Sequence, residues 1–357
     1  MMKYRFLMPM LLFLALILTI CGCLRNLEVS TTPRLQTEGA VIYAKSGNSN
    51  TRICHYNLAD GRETLLYDYG ANITEPNPAI YPADHTKIIL AAKNSAAKYD
   101  LYLYDLTTKE KTSQTYNKSN YTDRHPSLDY SGTKLVFQSA RSSPTKFYFV
   151  DLTSAAEPVT YDSEGGLVPV ISPDGTKIAY IKKDSADEKY KLWVYDLDGA
   201  LEPNPKQITY DHNVYNPAWA ADNETLAVET YVSSEGPRFI ATIKPFDAEP
   251  KLQQVVYSWG KNDDYRHPAW GVTAGRVILF FTGKLLTSDR HALGAVYYDE
   301  VVAKGSGAQW YLVASDSDEN IKEPAWAPDL TVPTAEDRRH GDGSFVLTSQ
   351  PISGKIY

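Results

Sequence analysis

A repeat constrains this chain more than any other feature. Similar segments recur every 40–55 residues, and a period of that length means propeller blades or a solenoid. The clearest copy is VPVISPDGTKIAYIKKDSADEKYKLWVYDLDG, residues 168–199. Aligned on its first proline, the copies begin at Pro78, Pro126, Pro169, Pro217, Pro268 and Pro324, with spacings of 48, 43, 48, 51 and 56. An apolar residue follows two positions later in each: Ile80, Leu128, Ile171, Trp219, Trp270 and Trp326. Nine or ten positions after the proline a β-type run opens at Ile88, Leu135, Ile178, Leu226 and Val277. The sixth copy breaks the rule, because its run waits until Phe345 and 329–343 reads as an insertion.

Between these landmarks lies turn chemistry. Ser131-Gly132, Asp174-Gly175 and Asp222-Asn223 suit tight turns between antiparallel strands. A third strand ends in a shared signature, LYLYDL at 101–106, FYFVDL at 147–152 and LWVYDL at 192–197, with ICHYNL (53–58) and AVYYDE (295–300) as weaker forms. A fourth short strand is expected at Lys206–Tyr210 and Leu252–Tyr257. Four hairpin-linked strands make a propeller blade. Residues 40–70 hold second, third and fourth strands without a first, and 324–328 supply a first strand near the other end. Joining them closes the ring in one mixed blade and removes exposed edges. The expected fold is all-β, a six-bladed propeller of four-stranded antiparallel blades over 39–357. The leftover run Ser344–Tyr357 keeps seven blades as the runner-up.

The pattern xPxΦSPDGxxIAΦ…LΦVΦDL resembles the PD40 (WD40-like) repeat of TolB-like β-propellers. Ile171-Ser172-Pro173-Asp174-Gly175-Thr176-Lys177-Ile178-Ala179-Tyr180 is a close copy, and YPADHTKIIL, LDYSGTKLVF and WAADNETLAV are degenerate ones. The resemblance spans roughly 40 to 330 and implies fold more than function, since one fold hosts many functions. TolB carries a separate N-terminal α/β domain. Only residues 24–38 lie between Cys23 and the first strand, so a relative of TolB is expected, not an orthologue.

The N-terminus reads as an address. A basic start (Lys3, Arg5) precedes an apolar stretch from Phe6 to Ile20 and then Cys21-Gly22-Cys23. Ile20-Cys21-Gly22-Cys23 resembles the lipobox of bacterial lipoproteins, which implies a signal peptide over 1–22, lipidation at Cys23 and stable membrane anchoring by acyl chains. Cys21 fits less well as the acceptor, because Ile20 precedes it in place of a small residue. Leu24 in place of Asp favours outer-membrane sorting if the organism has an outer membrane. An uncleaved anchor, Phe6–Leu24, and plain secretion are the rivals. Residues 23–38 read as a polar tether. Only Cys54 then remains in the mature domain. No internal disulfide can form, and its strand pattern marks a small core residue.

Charge narrows the partners. The whole chain has 36 Lys+Arg and 43 Asp+Glu; without residues 1–22 it keeps 34 bases against 43 acids, net −9, which argues against nucleic acid. There is no G-x-S-x-G, H-E-x-x-H, C-x-x-C or P-loop. Nor is there room for the extra hydrolase domain of propeller-bearing peptidases. Asp196-Leu197-Asp198-Gly199 lacks the downstream ligands of a calcium loop and reads as a strand ending in a turn. The acidic run 316–319 reads as a solvated loop, with a cation site as the alternative. The three Trp read as packing between blades.

The resemblance also implies a site. In related folds the residue before each anchor proline lies at the mouth of the axial channel; here that ring is Asn77, His125, Val168, Asn216, His267 and Glu323. One position earlier stand Pro76, Arg124, Leu167, Tyr215, Arg266 and Lys322. Arg124-His125-Pro126 and Arg266-His267-Pro268 are identical tripeptides three blades apart. Three readings are open: solvated residues paired with carboxylates such as Asp123 and Asp264, a mouth that holds an anion or a partner's tail, or a metal on His125, His267 and Glu323. The expectation is a monomeric, cofactor-free envelope lipoprotein, held at a membrane and more a scaffold than an enzyme. It would bind an envelope protein, a peptide or cell-wall material through Asn77, Arg124, His125, Tyr215, Asn216, Arg266, His267 and Glu323. The alternative is a metal-dependent lyase, because some pectate-type lyases share a similar propeller with His ligands.

Overall fold

The computed structural model describes residues 33–327, apart from 48, 74, 95, 115–120, 155–156, 163, 200–203, 232–235, 257–263, 285–289 and 317. Cys23, the signal and tether residues before 33, the insertion at 329–343 and the run Ser344–Tyr357 lie outside the described residues. Among those described, the strands form six antiparallel sheets arranged as the blades of a TolB-like propeller.

The first strands are Ala79–Ile80, Asp123–Leu128, Leu167–Ile171, Val214–Trp219, Tyr265–Thr273 and Asn320–Trp326. Five sheets have four strands. The second blade has three, and its outermost position is marked by a single bridge, Phe149 to Val159. Each core is built by alternation: inward Ile178, Tyr180 and their neighbours in Lys177–Lys183 pack against the adjacent blade. The turns foreseen from sequence hold, with Gly132, Gly175 and Asn223 at φ 68°, 71° and 57°.

Closure occurs in the sixth blade, whose strand order is Asn320–Trp326, Ala40–Ser46, Thr51–Asn57 and Glu63–Asp68. The sixth repeat therefore broke the sequence rule for a structural reason: its second strand comes from the other end of the chain. Lys45 bonds Asp316 at 3.0 Å and Arg52 pairs with Glu319, so the acidic run 316–319 supplies anchors for this seam. Residues 33–38, read above as tether, are part of the fold. Leu35 is buried and donates to Leu312 O at 3.0 Å, and Thr273 Oγ1 donates to Glu38 O at 2.6 Å. Gly39 is required at its place, since it sits at φ 102° and a Cβ there would meet Trp326 at 2.4 Å.

Two features differ from the sequence reading. AVYYDE is strand only to Tyr297, after which Tyr298–Lys304 forms a helix that buries Val301. The Trp residues also do more than fill space. Trp219 Nε1 donates to Val170 O at 3.2 Å and Trp270 Nε1 to Ala218 O at 3.0 Å, each reaching back to the preceding blade's first strand.

Candidate functional site: the axial mouth

All six ring residues have left-handed backbone, with φ from 39° at Asn77 to 53° at Glu323. The cause is local. In five blades the first strand gains one residue against the second at this point, a bulge, as between Arg124 and Ser127. The following proline has no N–H to place in the ladder and bars the right-handed helical region to the residue before it. For β-branched Val168, at φ 48°, the cost is about 1–3 kcal/mol.

A cavity of about 450 Å³ runs along the axis. Along the first strands it is lined by the ring Asn77, His125, Val168, Asn216, His267 and Glu323, then by the six prolines, then by Ile80, Leu128, Ile171, Trp219, Trp270 and Trp326. Arg124, Arg266 and Tyr215 are not among the lining residues, because neighbouring residues on a strand face opposite ways. Arg124 pairs with Glu75 and lies 4.6 Å over the Tyr99 ring. Arg266 makes two bonds to Asp264, at 2.8 and 2.6 Å. Tyr215 packs among Tyr190, Tyr231 and Arg238. The expected pairing of Arg266 with Asp264 is present. Asp123 instead bonds Arg141, at 2.9 Å.

Three rim side chains, His267, Asn216 and Glu323, are held by hydrogen bonds. Thr282 Oγ1 lies 3.1 Å from His267 Nδ1 and donates to Arg266 O at 3.2 Å. Asn216 Nδ2 donates to Glu229 Oε2 at 2.8 Å, and fully buried Glu229 also holds Arg238. Glu323 Oε2 accepts the Asn77 N–H at 2.7 Å, and Gln138 Oε1 accepts the Val168 N–H at 3.0 Å. Asn77 Oδ1 is buried without a partner among the described residues. His125 Nε2 stands 3.8 Å from Glu75 Oε2, beyond a hydrogen bond.

Burial sets the charge states. It pushes His125 down to about 4 and, aided by Arg266, His267 down to about 3, so both imidazoles are neutral near pH 7. It raises Glu323 to about 7 against the opposing charge of Lys322. For Asp264 burial acts upward, but hydrogen bonds from His291 and Arg266 outweigh it and hold the carboxyl well below the usual range. Among the described residues, no three His, Cys, Asp or Glu side chains are grouped to hold a metal ion.

Sequence reasoning missed the supporting cast: Glu75, Gln138, Glu229, Arg238, Thr282 and His291. His291 fits no repeat position, yet its Nε2 lies 3.3 Å from Asp264 Oδ2. A charged residue inside the apolar strand LAVETY was the one available signal for Glu229.

No family model and no curated protein sequence matches the chain. Solved structures do resemble it in fold. TolB from Acinetobacter baumannii has a TM-score of 0.62 at 16% identity, over 81% of this chain and 66% of that one. A putative TolB from Agrobacterium tumefaciens gives 0.57 at 11%, over 81% and 98%. A chain of a nidogen/laminin complex gives 0.54 at 11%, also over 81% and 98%. These likenesses establish the propeller fold.

Proposed function

We propose that the chain is an envelope lipoprotein whose propeller holds an envelope partner protein or peptide, or cell-wall material, at its axial face without catalysis. One observation carries the reading: an open cavity of about 450 Å³ whose rim takes one residue from every blade, most of them polar, with Glu323, Asn216 and His267 held by hydrogen bonds. Such a concave site with a few placed polar groups suits binding. That a neighbouring fold comes from a protein–protein complex is consistent with it. The His/Glu lyase alternative has less support, since the two imidazoles sit on opposite blades and the described residues assemble no metal-holding trio.

The anchoring half rests on sequence: a signal over 1–22, acylation at Cys23 and a tether that ends where Leu35 docks on the fifth blade. Among the described residues no helix is long and apolar enough to cross a membrane. Fatty-acid labelling of the native chain and of Cys23→Ser should show label only in the native form; equal labelling rejects the anchor. The binding half is tested by in-cell crosslinking and mass spectrometry. The comparison is a variant with Arg124, His125, Arg266 and His267 changed to Ala. A partner captured only by the native form is expected, and capture of none by either overturns the scaffold.

A further inference from the structure

One of the three sequence readings is a mouth that holds an anion or a partner's tail with two arginines and two histidines. The geometry points the other way. Among the described residues no Lys or Arg lines the cavity, and the acidic ones that do are Glu75 and Glu323. Arg124 and Arg266, behind the rim, are engaged by Glu75 and Asp264.

Hydrogen-bond bookkeeping sharpens this. Thr282 has one hydroxyl proton, and the Arg266 carbonyl can only accept, so that proton is committed there. His267 Nδ1 must then carry hydrogen and donate to Thr282, which leaves Nε2 a bare acceptor; this tautomer is assigned from the network. The Glu229 carboxylate can only accept, so Asn216 must turn its NH2 to it, leaving Oδ1 as the amide's other group. Asn77 Oδ1 is a buried acceptor with no partner among the described residues. Glu323 uses Oε2 for the Asn77 N–H and makes no ion pair among the described residues. Four of the six rim positions, Asn77, Asn216, His267 and Glu323, thus offer acceptors to a cavity otherwise lined largely by apolar residues.

We propose that the axial rim receives a cationic donor, the ammonium or guanidinium of a lysine or arginine side chain in a bound segment, seated between Asn77, His267 and Glu323. This rests on the scaffold reading and names the chemistry of its ligand. A guanidinium offers only donors, matching Asn77 Oδ1, which has no partner among the described residues, and the acceptors of His267 and Glu323, while its attached methylenes suit the prolines that line the same cavity.

The charges facing Glu323 set the pH response. Lys322 lies on its own strand, Glu75 and Arg124 lie across the seam, and Asn77 donates to it. With Glu323 rising to about 7, a bound cation favours its ionised form, so binding releases a proton below that pH. Affinity for a cation should be about tenfold higher at pH 8 than at pH 6.

The test titrates the full chain with ethylguanidinium, propylammonium, propionamide and propionate, followed by calorimetry and by 15N shifts of the histidine rings. Saturable binding of the two cations, a shift at His267 Nε2 and the tenfold pH effect are expected. Glu323→Gln should abolish the pH effect and weaken cation binding at pH 8 at least tenfold. Should that variant fail to melt cooperatively, Asn77→Ala and the native probe series decide. Propionate binding that strengthens as pH falls, or no saturable binding by either cation, overturns the proposal. If crosslinking still captures a partner while the cations do not bind, the ligand class fails and the scaffold stands. Cation binding without any captured partner does the reverse.

Discussion

Arg124-His125-Pro126 and Arg266-His267-Pro268 share three residues, a bulge and a left-handed histidine, yet they are held by different means. The difference begins on the second strand. Arg124 pairs in register with Gln138, and Arg266 with Thr282. Thr282 is short and holds its own blade's histidine, whereas Gln138 is long enough to reach the next blade and accept the Val168 N–H. The carboxylates differ too. Asp264 is two residues from Arg266 and accepts from both its Nε and Nη2, while Glu75 crosses from the preceding blade and its side chain is 41% exposed. A repeated motif thus fixes backbone position, and its neighbours decide what each copy can do.

The sharpest way to break this comparison is to neutralise the two carboxylates. Asp264→Asn removes the partner of Arg266 and His291 and should cost about 2 kcal/mol, whereas Glu75→Gln should change stability by less than about 0.5 kcal/mol. Urea midpoints measure both, and equal losses would show that the sites are equivalent after all. Next, Thr282→Val should cost about 1 kcal/mol and release the fixed Nδ1–H tautomer of His267 without touching His125, as read by imidazole 15N shifts. A His267 ring unchanged in the variant would remove Thr282 from its supporting role.

The comparison extends to the slope of stability with pH. A histidine whose pKa is lowered on folding binds fewer protons in the folded than in the unfolded state, so stability falls as pH drops from about 6.5 toward the folded value. The windows run down to about 4 for His125 and about 3 for His267. Glu323 works oppositely: its raised pKa means stability is lost as pH rises from about 4.3 to about 7. Between about pH 4.3 and 6.5 the two histidines outweigh Glu323, so melting temperature should rise with pH in the native chain, rise more steeply in Glu323→Gln, and fall with pH in the double variant His125→Asn, His267→Asn. Unchanged slopes would contradict the burial of these groups.

The blades, the mixed sixth sheet and the identity of all six rim residues were legible because each depends on a short pattern around one proline. Asn77, His125, Asn216, His267 and Glu323 line the cavity as expected; Arg124, Tyr215 and Arg266 stand behind it. That sorting required the bulge, which shifts alternation by one residue and leaves no mark in composition. Glu75, Glu229, Thr282 and His291 were illegible because they meet the rim from other strands and connections, through pairing across many residues. The helix Tyr298–Lys304 was hidden because YYDE continues a signature that ends as strand in other blades. The docking of Leu35 was hidden by a polar neighbourhood.

The mixed sixth blade also imposes an order of events. Ala40–Ser46 is made before any other described strand, and its inner neighbour, Asn320–Trp326, is made after all the rest. Until synthesis reaches that last strand, the earliest one must wait with a row of unpaired backbone groups, the kind of edge that invites pairing with other chains. A ribosome that stalls within the fifth blade would release a product with most of its sheets formed and that edge still open. The final strand is thus the step that turns a sticky assembly into a finished one.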